Sequence, residues 1–208
     1  MAYDLEEQEQ LDEFKAWWKK NGSMAINLVL AALVAYSVWQ GYHYFQNKKS
    51  VQASALYQTM LTTDPTKVGE IKAQSAKLMD SYDGTPYAGR AAVYAAKANF
   101  TANDSKSAKS QLEWAIKNAT ESAVKAIASL QLAGILFEEK SYEEASKTLA
   151  AINDKGYAGL KANLQGDILL AQGKPAEAKK AYAAALEGLD VQGRMHQYTQ
   201  QKFESLGV

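Results

Sequence analysis

The stretch Leu164–Leu186, LQGDILLAQGKPAEAKKAYAAAL, decides the fold of this chain. Two apolar runs flank the turn Gly173–Pro175, where a glycine can end one helix and a proline can begin the next. Gly166 in the first run and Ala178 in the second are small, and small side chains let two antiparallel helices cross closely. Tyr182, one turn after Ala178, can then fill the space beside the crossing. The stretch therefore predicts a tightly packed helical hairpin.

The same pattern of small residues occurs twice earlier in the chain. It recurs at a nearly constant spacing, close to the period of about 34 residues that defines a tetratricopeptide repeat. The residues that we expect to pack the repeats are Ala96, Ala133 and Gly166 in the first helices and Ala108, Ala145 and Ala178 in the second. We predict a solenoid of tetratricopeptide-like hairpins over residues 86–208, with 193–206 as a C-terminal capping helix.

Signals for helix ends divide the rest of the chain into further helices. Asp64-Pro65 ends a long first helix, and Thr85-Pro86 begins another. Asn103–Ser105 is a cluster of capping residues, and Ser141 with Glu144 has the spacing of a capping box. No segment combines a strand-like alternation of polar and apolar residues with a hairpin turn. The sequence predicts an all-α fold.

Residues 21–47 contain no Asp, Glu, Lys or Arg, and this uncharged run predicts a transmembrane helix. About 20 apolar residues are enough to cross a hydrocarbon layer of about 30 Å. Aromatic side chains favour membrane interfaces, and those expected there are Trp17, Trp18, Trp39, Tyr42 and Tyr44. A cleaved signal peptide fits poorly, because residues 1–20 carry six acidic against three basic side chains. We predict an uncleaved single-span anchor after a short tail, with 48–85 as a helical extension that links it to the repeats.

The lysines near the predicted span do not decide its orientation. Three lie on each side, and only basic residues close to a span have a strong effect on its topology. They are Lys15, Lys19 and Lys20 before the span and Lys48, Lys49 and Lys67 after it. Charge alone leaves both orientations open.

The composition argues against several classes of function. The chain has no cysteine, which excludes disulfides, thiolate nucleophiles, iron–sulfur clusters and a lipid-bearing cysteine anchor. Its formal net charge of zero provides no basic surface for nucleic acid. His43 and His196 are isolated from other metal-ligating residues, and no phosphate-binding or nucleophile motif is present. We expect no catalytic activity, no cofactor and no metal site.

Stacked helical hairpins present an extended surface that suits peptides and partner proteins. Trp114 lies off the stripe of Ala108, Leu112 and Ala115 that faces the hairpin interior, and it is a candidate for contact with a partner. Packing between hairpins is the alternative role for this side chain.

Three stretches together resemble one known family. Trp17-Trp18 and Asn21-Gly22 precede the span, SVQASALYQ follows it at Ser50–Gln58, and KGYAGLKANLQGDILLAQGK occupies Lys155–Lys174. This combination resembles the YfgM family, the ancillary subunits of the SecYEG translocon in Gram-negative bacteria. The resemblance covers almost the whole chain, although residues 60–130 match mainly in pattern.

The resemblance implies a cytoplasmic tail, a single span in the inner membrane and a periplasmic repeat domain. It also implies a non-catalytic role beside the SecYEG translocon, together with the membrane-anchored chaperone PpiD, on emerging secretory polypeptides. Two alternatives remain open at this point. One is a repeat scaffold for cell-division or envelope-assembly machinery, and the other is a regulator of envelope stress.

Overall fold

The computed structural model describes residues 2–207, and every regular element among them is helical, which confirms the all-α prediction. Met1 and Val208, the outer ends of the predicted tail and repeat domain, lie outside the described residues. A 3₁₀ turn at Lys155–Tyr157 precedes α7. The α-helices are α1 Ala2–Thr62, α2 Val68–Ser81, α3 Pro86–Thr101, α4 Ser105–Asn118, α5 Ser122–Glu138, α6 Tyr142–Ala150, α7 Ala158–Ala171, α8 Pro175–Gly188 and α9 Arg194–Ser205.

The chain divides into two compact units, Met1–Lys48 and Lys49–Val208. The first unit contains the predicted span, within a helix that is long and apolar enough to cross a membrane. Its apolar side chains are exposed along the helix, which is the arrangement expected where lipid is the solvent. The five aromatic residues expected at the interfaces, Trp17, Trp18, Trp39, Tyr42 and Tyr44, are also exposed, and their position at a membrane surface stays a prediction.

The second unit is an array of helical hairpins. Successive helices pack as the pairs α3–α4, α5–α6 and α7–α8, and α9 packs on α8. The segment 48–85, which the sequence assigns to a linking extension, also joins the array. Side chains from the end of α1 share one buried cluster with α2 and α3, and its members are Ala53, Met60, Ile71, Leu78, Ala91 and Ala95. The end of α1 and α2 thus form a further pair ahead of α3.

The turns inside the three later hairpins share one backbone geometry. Asn103, Lys140 and Gly173 have φ values of 63°, 61° and 76°, and each stands at the same distance before the small residue of its second helix. After each of them, a backbone N–H donates to a carbonyl five residues earlier: Asp104 to Asn99 at 2.8 Å, Ser141 to Leu136 at 2.8 Å and Lys174 to Leu169 at 3.0 Å. These bonds satisfy the last carbonyls of each helix in the Schellman pattern. The repeat therefore recurs in the backbone as well as in the small side chains.

The predicted capping box at Ser141 is wrong. Ser141 precedes α6, but its side chain makes no capping hydrogen bond, and its backbone N–H, which would donate to the Glu144 side chain in a capping box, donates to the Leu136 carbonyl instead. Asp104 is the side chain that caps α4, and it accepts a 3.0 Å hydrogen bond from the Ser107 N–H. Hydrogen bonds from Ser107, reinforced by Lys72, lower the pKa of Asp104 to about 2.

The capping helix α9 is attached to the last hairpin by a partly buried polar cluster. The Tyr182 hydroxyl donates to Asp167 Oδ1 at 2.7 Å, and Lys202 Nζ donates to both oxygens of the same carboxylate at 2.7 and 2.8 Å. Thr199 Oγ1, fully buried, donates to Asn163 Oδ1 at 2.9 Å. Burial of Tyr182, together with the hydrogen bond to Asp167, raises the pKa of its hydroxyl. One carboxylate of α7 therefore joins α8 and α9.

Ion pairs connect neighbouring hairpins at two junctions. Lys72 pairs with Asp104 at 3.3 Å between the first and second hairpins. Between the second and third, the ion pairs are Arg90–Glu121 at 2.7 Å and Lys109–Glu139 at 2.6 Å. Between the third and fourth hairpins, the Ser122 hydroxyl donates a 2.9 Å hydrogen bond to the Asp154 carboxylate, and no salt bridge crosses this junction among the side chains of residues 6–207.

Candidate partner-binding groove

Three adjoining cavities lie along the first helices of the early hairpins, and we call them together the groove. The first, of about 500 Å³, lies between the α1–α2 turn, α2 and the end of α3. The second, of about 260 Å³, lies between the end of α1, α3 and α5, and the third, of about 350 Å³, lies further along α3 and α5. The side chains that line more than one cavity are Tyr94, Lys97 and Gln131.

The local sequence explains why the groove is open. Helix α3 carries alanines on the face that it turns toward its neighbours, and Ala91, Ala92, Ala95 and Ala96 are buried there. The longer side chains are left for the opposite face. Val93, Tyr94 and Phe100 are half-buried and line cavities, and Lys97 is exposed between them. The groove is therefore lined mainly by apolar and aromatic side chains.

One of the two cations in the groove is already neutralised. Arg90 donates from Nε and Nη2 to the two oxygens of Glu121, at 2.8 and 2.7 Å. The hydrogen bonds from this guanidinium lower the pKa of the Glu121 carboxyl, and the same pairing raises the pKa of Arg90. Lys97 is different, because its ammonium forms no ion pair with any of the residues 6–207 whose side chains are described.

The histidines and the acidic residues singled out in the sequence are not gathered at the groove. Across the described part of the chain, no group of three or more His, Asp or Glu side chains could hold a metal ion. His43 lies on α1 with its ring 4.5 Å from that of Trp39, and His196 lies on α9, so neither borders the groove. Of the acidic residues near the end of α5, Glu138 is exposed and lines the third cavity.

The structure places the six repeat-packing residues at buried positions: Ala96, Ala108, Ala133, Ala145, Gly166 and Ala178. The closest approach is at Gly166, where a Cβ atom would lie 2.5 Å from Cε1 of Tyr182. Ile168, fully buried, supplies the core contact of this helix. At Gly166, therefore, a larger side chain does not fit without a shift of Tyr182.

Trp114 lies outside the groove. It is half-buried and packs against the main hydrophobic cluster, which includes Leu112 and Ala115. Contact between Trp114 and a partner stays a prediction.

The sequence analysis did not select Lys97 as a functional residue. A signal for it does exist in the sequence, since Lys97 is the sole charged residue between Ala91 and Ala102.

Comparison with known proteins assigns the chain to the tetratricopeptide-like class of folds. The family model described as a tetratricopeptide repeat-like domain matches residues 15–208, which agrees with the array of helical hairpins. Relatives named ancillary SecYEG translocon subunit match nearly end to end. That of Neisseria gonorrhoeae is 32% identical over 99% of this chain and 100% of its own length, and that of Escherichia coli K12 is 26% identical over 97% of each chain. A third, from Haemophilus influenzae, is 27% identical over 89% of this chain and 91% of its own.

The chain belongs to this family of ancillary SecYEG translocon subunits, as the resemblance in the sequence predicts.

Proposed function

We propose that this protein is a non-catalytic, membrane-anchored adaptor of the Sec translocon. The observation that carries the proposal is the union, in one chain, of an uncharged span and a repeat groove, in a protein similar over its whole length to ancillary SecYEG translocon subunits. The groove favours binding over catalysis because its lining is mostly apolar, aromatic or already neutralised.

The two units have separate tasks in this proposal. The span lies in the inner membrane and contacts the translocon from the side. The repeat domain lies in the periplasm and works with PpiD on emerging secretory polypeptides, and the tail remains in the cytoplasm. An exposed apolar helix supports the first task, and an open groove of three cavities supports the second.

Cysteine labelling tests the orientation cleanly, because the natural chain contains no cysteine. Glu9 lies on the exposed surface of the tail and Ala184 on the exposed face of α8. In intact cells with a permeabilised outer membrane, we expect a membrane-impermeant maleimide to label Ala184→Cys and not Glu9→Cys. A permeant maleimide should label both and serves as the control. Labelling of Glu9→Cys alone would reverse the orientation.

Co-purification tests the adaptor role. Tagged full-length protein would be extracted in mild detergent beside three variants: one with residues 21–47 replaced by an unrelated single span, one with Ile127→Arg in the groove, and one with Ala184→Arg as the matched control. We expect the natural chain and the control to retain SecY and PpiD. The replaced span should lose SecY, and Ile127→Arg should lose PpiD.

The outcome that contradicts the adaptor role is equally definite. If neither SecY nor PpiD accompanies the full chain, and proteins of cell division or outer-membrane assembly do, the protein is a scaffold of that machinery. If the replaced span retains SecY, the contact lies outside the membrane segment.

A further inference from the structure

We propose that the groove binds a mainly apolar polypeptide segment through one acidic side chain, which pairs with Lys97. The inference rests on the proposed function, since it specifies the polypeptide that the adaptor would hold. It names the chemistry of the ligand and the residue of this chain that selects it.

The position of Lys97 is the first observation. It lines all three cavities, so the groove continues past it in both directions. On one side lies the cavity of about 500 Å³ that reaches Val68 and Ile71, and on the other lie the cavities that reach Val124 and Ile135. A bound chain that fills both sides passes Lys97 at an internal residue. The carboxylate is therefore that of an Asp or Glu side chain and not that of a chain end.

The charge of Lys97 is the second observation. Among its neighbours along α3 that line cavities, Val93, Tyr94 and Phe100 are apolar or aromatic and Thr101 is uncharged, and Lys97 has no ion-pair partner among residues 6–207. A ligand that covers the groove removes water from this ammonium, and removing water from an unpaired charge is costly. A carboxylate on the ligand offsets that cost with a charge-assisted hydrogen bond.

The remaining charges limit the number of acids. Arg90 is held by both oxygens of Glu121 and has little attraction left for a ligand. Glu138 borders the third cavity and repels further carboxylates. The groove therefore fits one acidic residue among apolar ones, and it disfavours an acidic run.

Selection from a random library identifies the preferred ligand directly from its enriched sequences. Full-length protein in phosphatidylethanolamine–phosphatidylglycerol nanodiscs would be exposed to displayed random dodecapeptides, with empty nanodiscs to remove peptides that bind lipid. The variants are Lys97→Gln and Lys97→Glu. The matched control is Lys125→Gln, because Lys125 borders a separate cavity of about 260 Å³ between α4, α5 and the segment after α6.

We expect the natural chain and Lys125→Gln to enrich peptides that combine several apolar or aromatic residues with one Asp or Glu. Lys97→Gln should weaken the best synthetic peptide by about tenfold, the scale of one charge-assisted contact. Lys97→Glu should remove the preference for an acid and favour Lys or Arg. Replacing the acid of that peptide with Gln or Asn should weaken binding to the natural chain and leave binding to Lys97→Gln unchanged.

Three results would overturn the inference: no peptide enriched over empty nanodiscs, enriched peptides without an acidic preference, or the same preference in Lys97→Glu. None of these bears on whether SecY and PpiD accompany the full chain. The adaptor role therefore stands or fails on co-purification, and the ligand chemistry stands or fails on selection.

Discussion

Replacing Gly166 with alanine is expected to lower the free energy of unfolding of the repeat domain by about 1–3 kcal/mol, the usual cost of overpacking a core. The new Cβ would lie 2.5 and 2.6 Å from two ring carbons of Tyr182. Tyr182 cannot move aside easily, since it is fully buried and its hydroxyl is bonded to Asp167. The clash outweighs the gain of about 1 kcal/mol that alanine normally brings to a helix interior.

Gly134→Ala is the matched control for this experiment. Gly134 also lies inside a helix, but a Cβ there would meet no atom within 4 Å. We expect Gly134→Ala to leave stability unchanged or to raise it by up to about 1 kcal/mol. Urea unfolding of the full chain in detergent micelles, followed by circular dichroism, measures both variants. Equal effects of the two substitutions would show that the hairpin does not depend on the close crossing at Gly166.

Removing the carboxylate that joins the last three helices should have a comparable effect. We expect Asp167→Ala to lower the free energy of unfolding by about 2–3 kcal/mol, because hydrogen bonds to a charged group are among the stronger ones in proteins. Two donors lose their acceptor at once, the Tyr182 hydroxyl and the Lys202 ammonium. The Asp167 and Lys202 side chains are 21% and 23% exposed, so water replaces the lost contacts only in part.

Thermal unfolding measures this effect, with a midpoint change of about 2–4 °C for each kcal/mol in a domain of this size. Glu204→Ala is the control, since Glu204 accepts a hydrogen bond from Gln200 on the exposed side of α9 and its loss should change stability by less than about 0.5 kcal/mol. The high-pH behaviour gives a second readout. The pKa of Tyr182 is raised in the folded chain, partly by its hydrogen bond to Asp167. The stabilisation that comes from the protonated hydroxyl is therefore present below pH 10.0 and is lost as the pH rises above that value. An Asp167→Ala variant as stable as the natural chain would show that α9 is held by apolar contacts alone.

The features that follow from local sequence could be predicted. The period of the small residues from Ala96 to Ala178 defines the hairpins, and the helix-ending signal Asp64-Pro65 lies two to three residues after the observed end of α1 at Thr62. Both are patterns of spacing along the chain, which largely determine helix ends and the faces that helices present. The capping box at Ser141 failed because the turn that ends α5 already uses the Ser141 backbone N–H in a hydrogen bond to Leu136, and spacing alone does not show this.

The features that depend on three helices at once could not be predicted. The pairing of Asp167 with Lys202 joins residues 35 positions apart, and either side chain could have been solvated in another arrangement of α9. The role of Lys97 depends on which face of α3 is left open after α2, α4 and α5 have packed against it. An exposed lysine in an alanine-rich helix looks the same in sequence whether it borders solvent or a groove.

Because ion pairs are distributed unequally between hairpins, we expect some junctions of the array to bend more easily than others. Exposed ion pairs add little to the free energy of folding, but an ion pair between two hairpins opposes a change in the angle between them. Dissolved salt weakens that resistance by screening the charges, and it should affect the Ser122–Asp154 hydrogen bond less, because the Ser122 hydroxyl carries no charge. The groove lies across α3 and α5, and two ion pairs connect the hairpins to which these helices belong. The width of the groove is therefore expected to vary with the ionic strength of the surrounding solution.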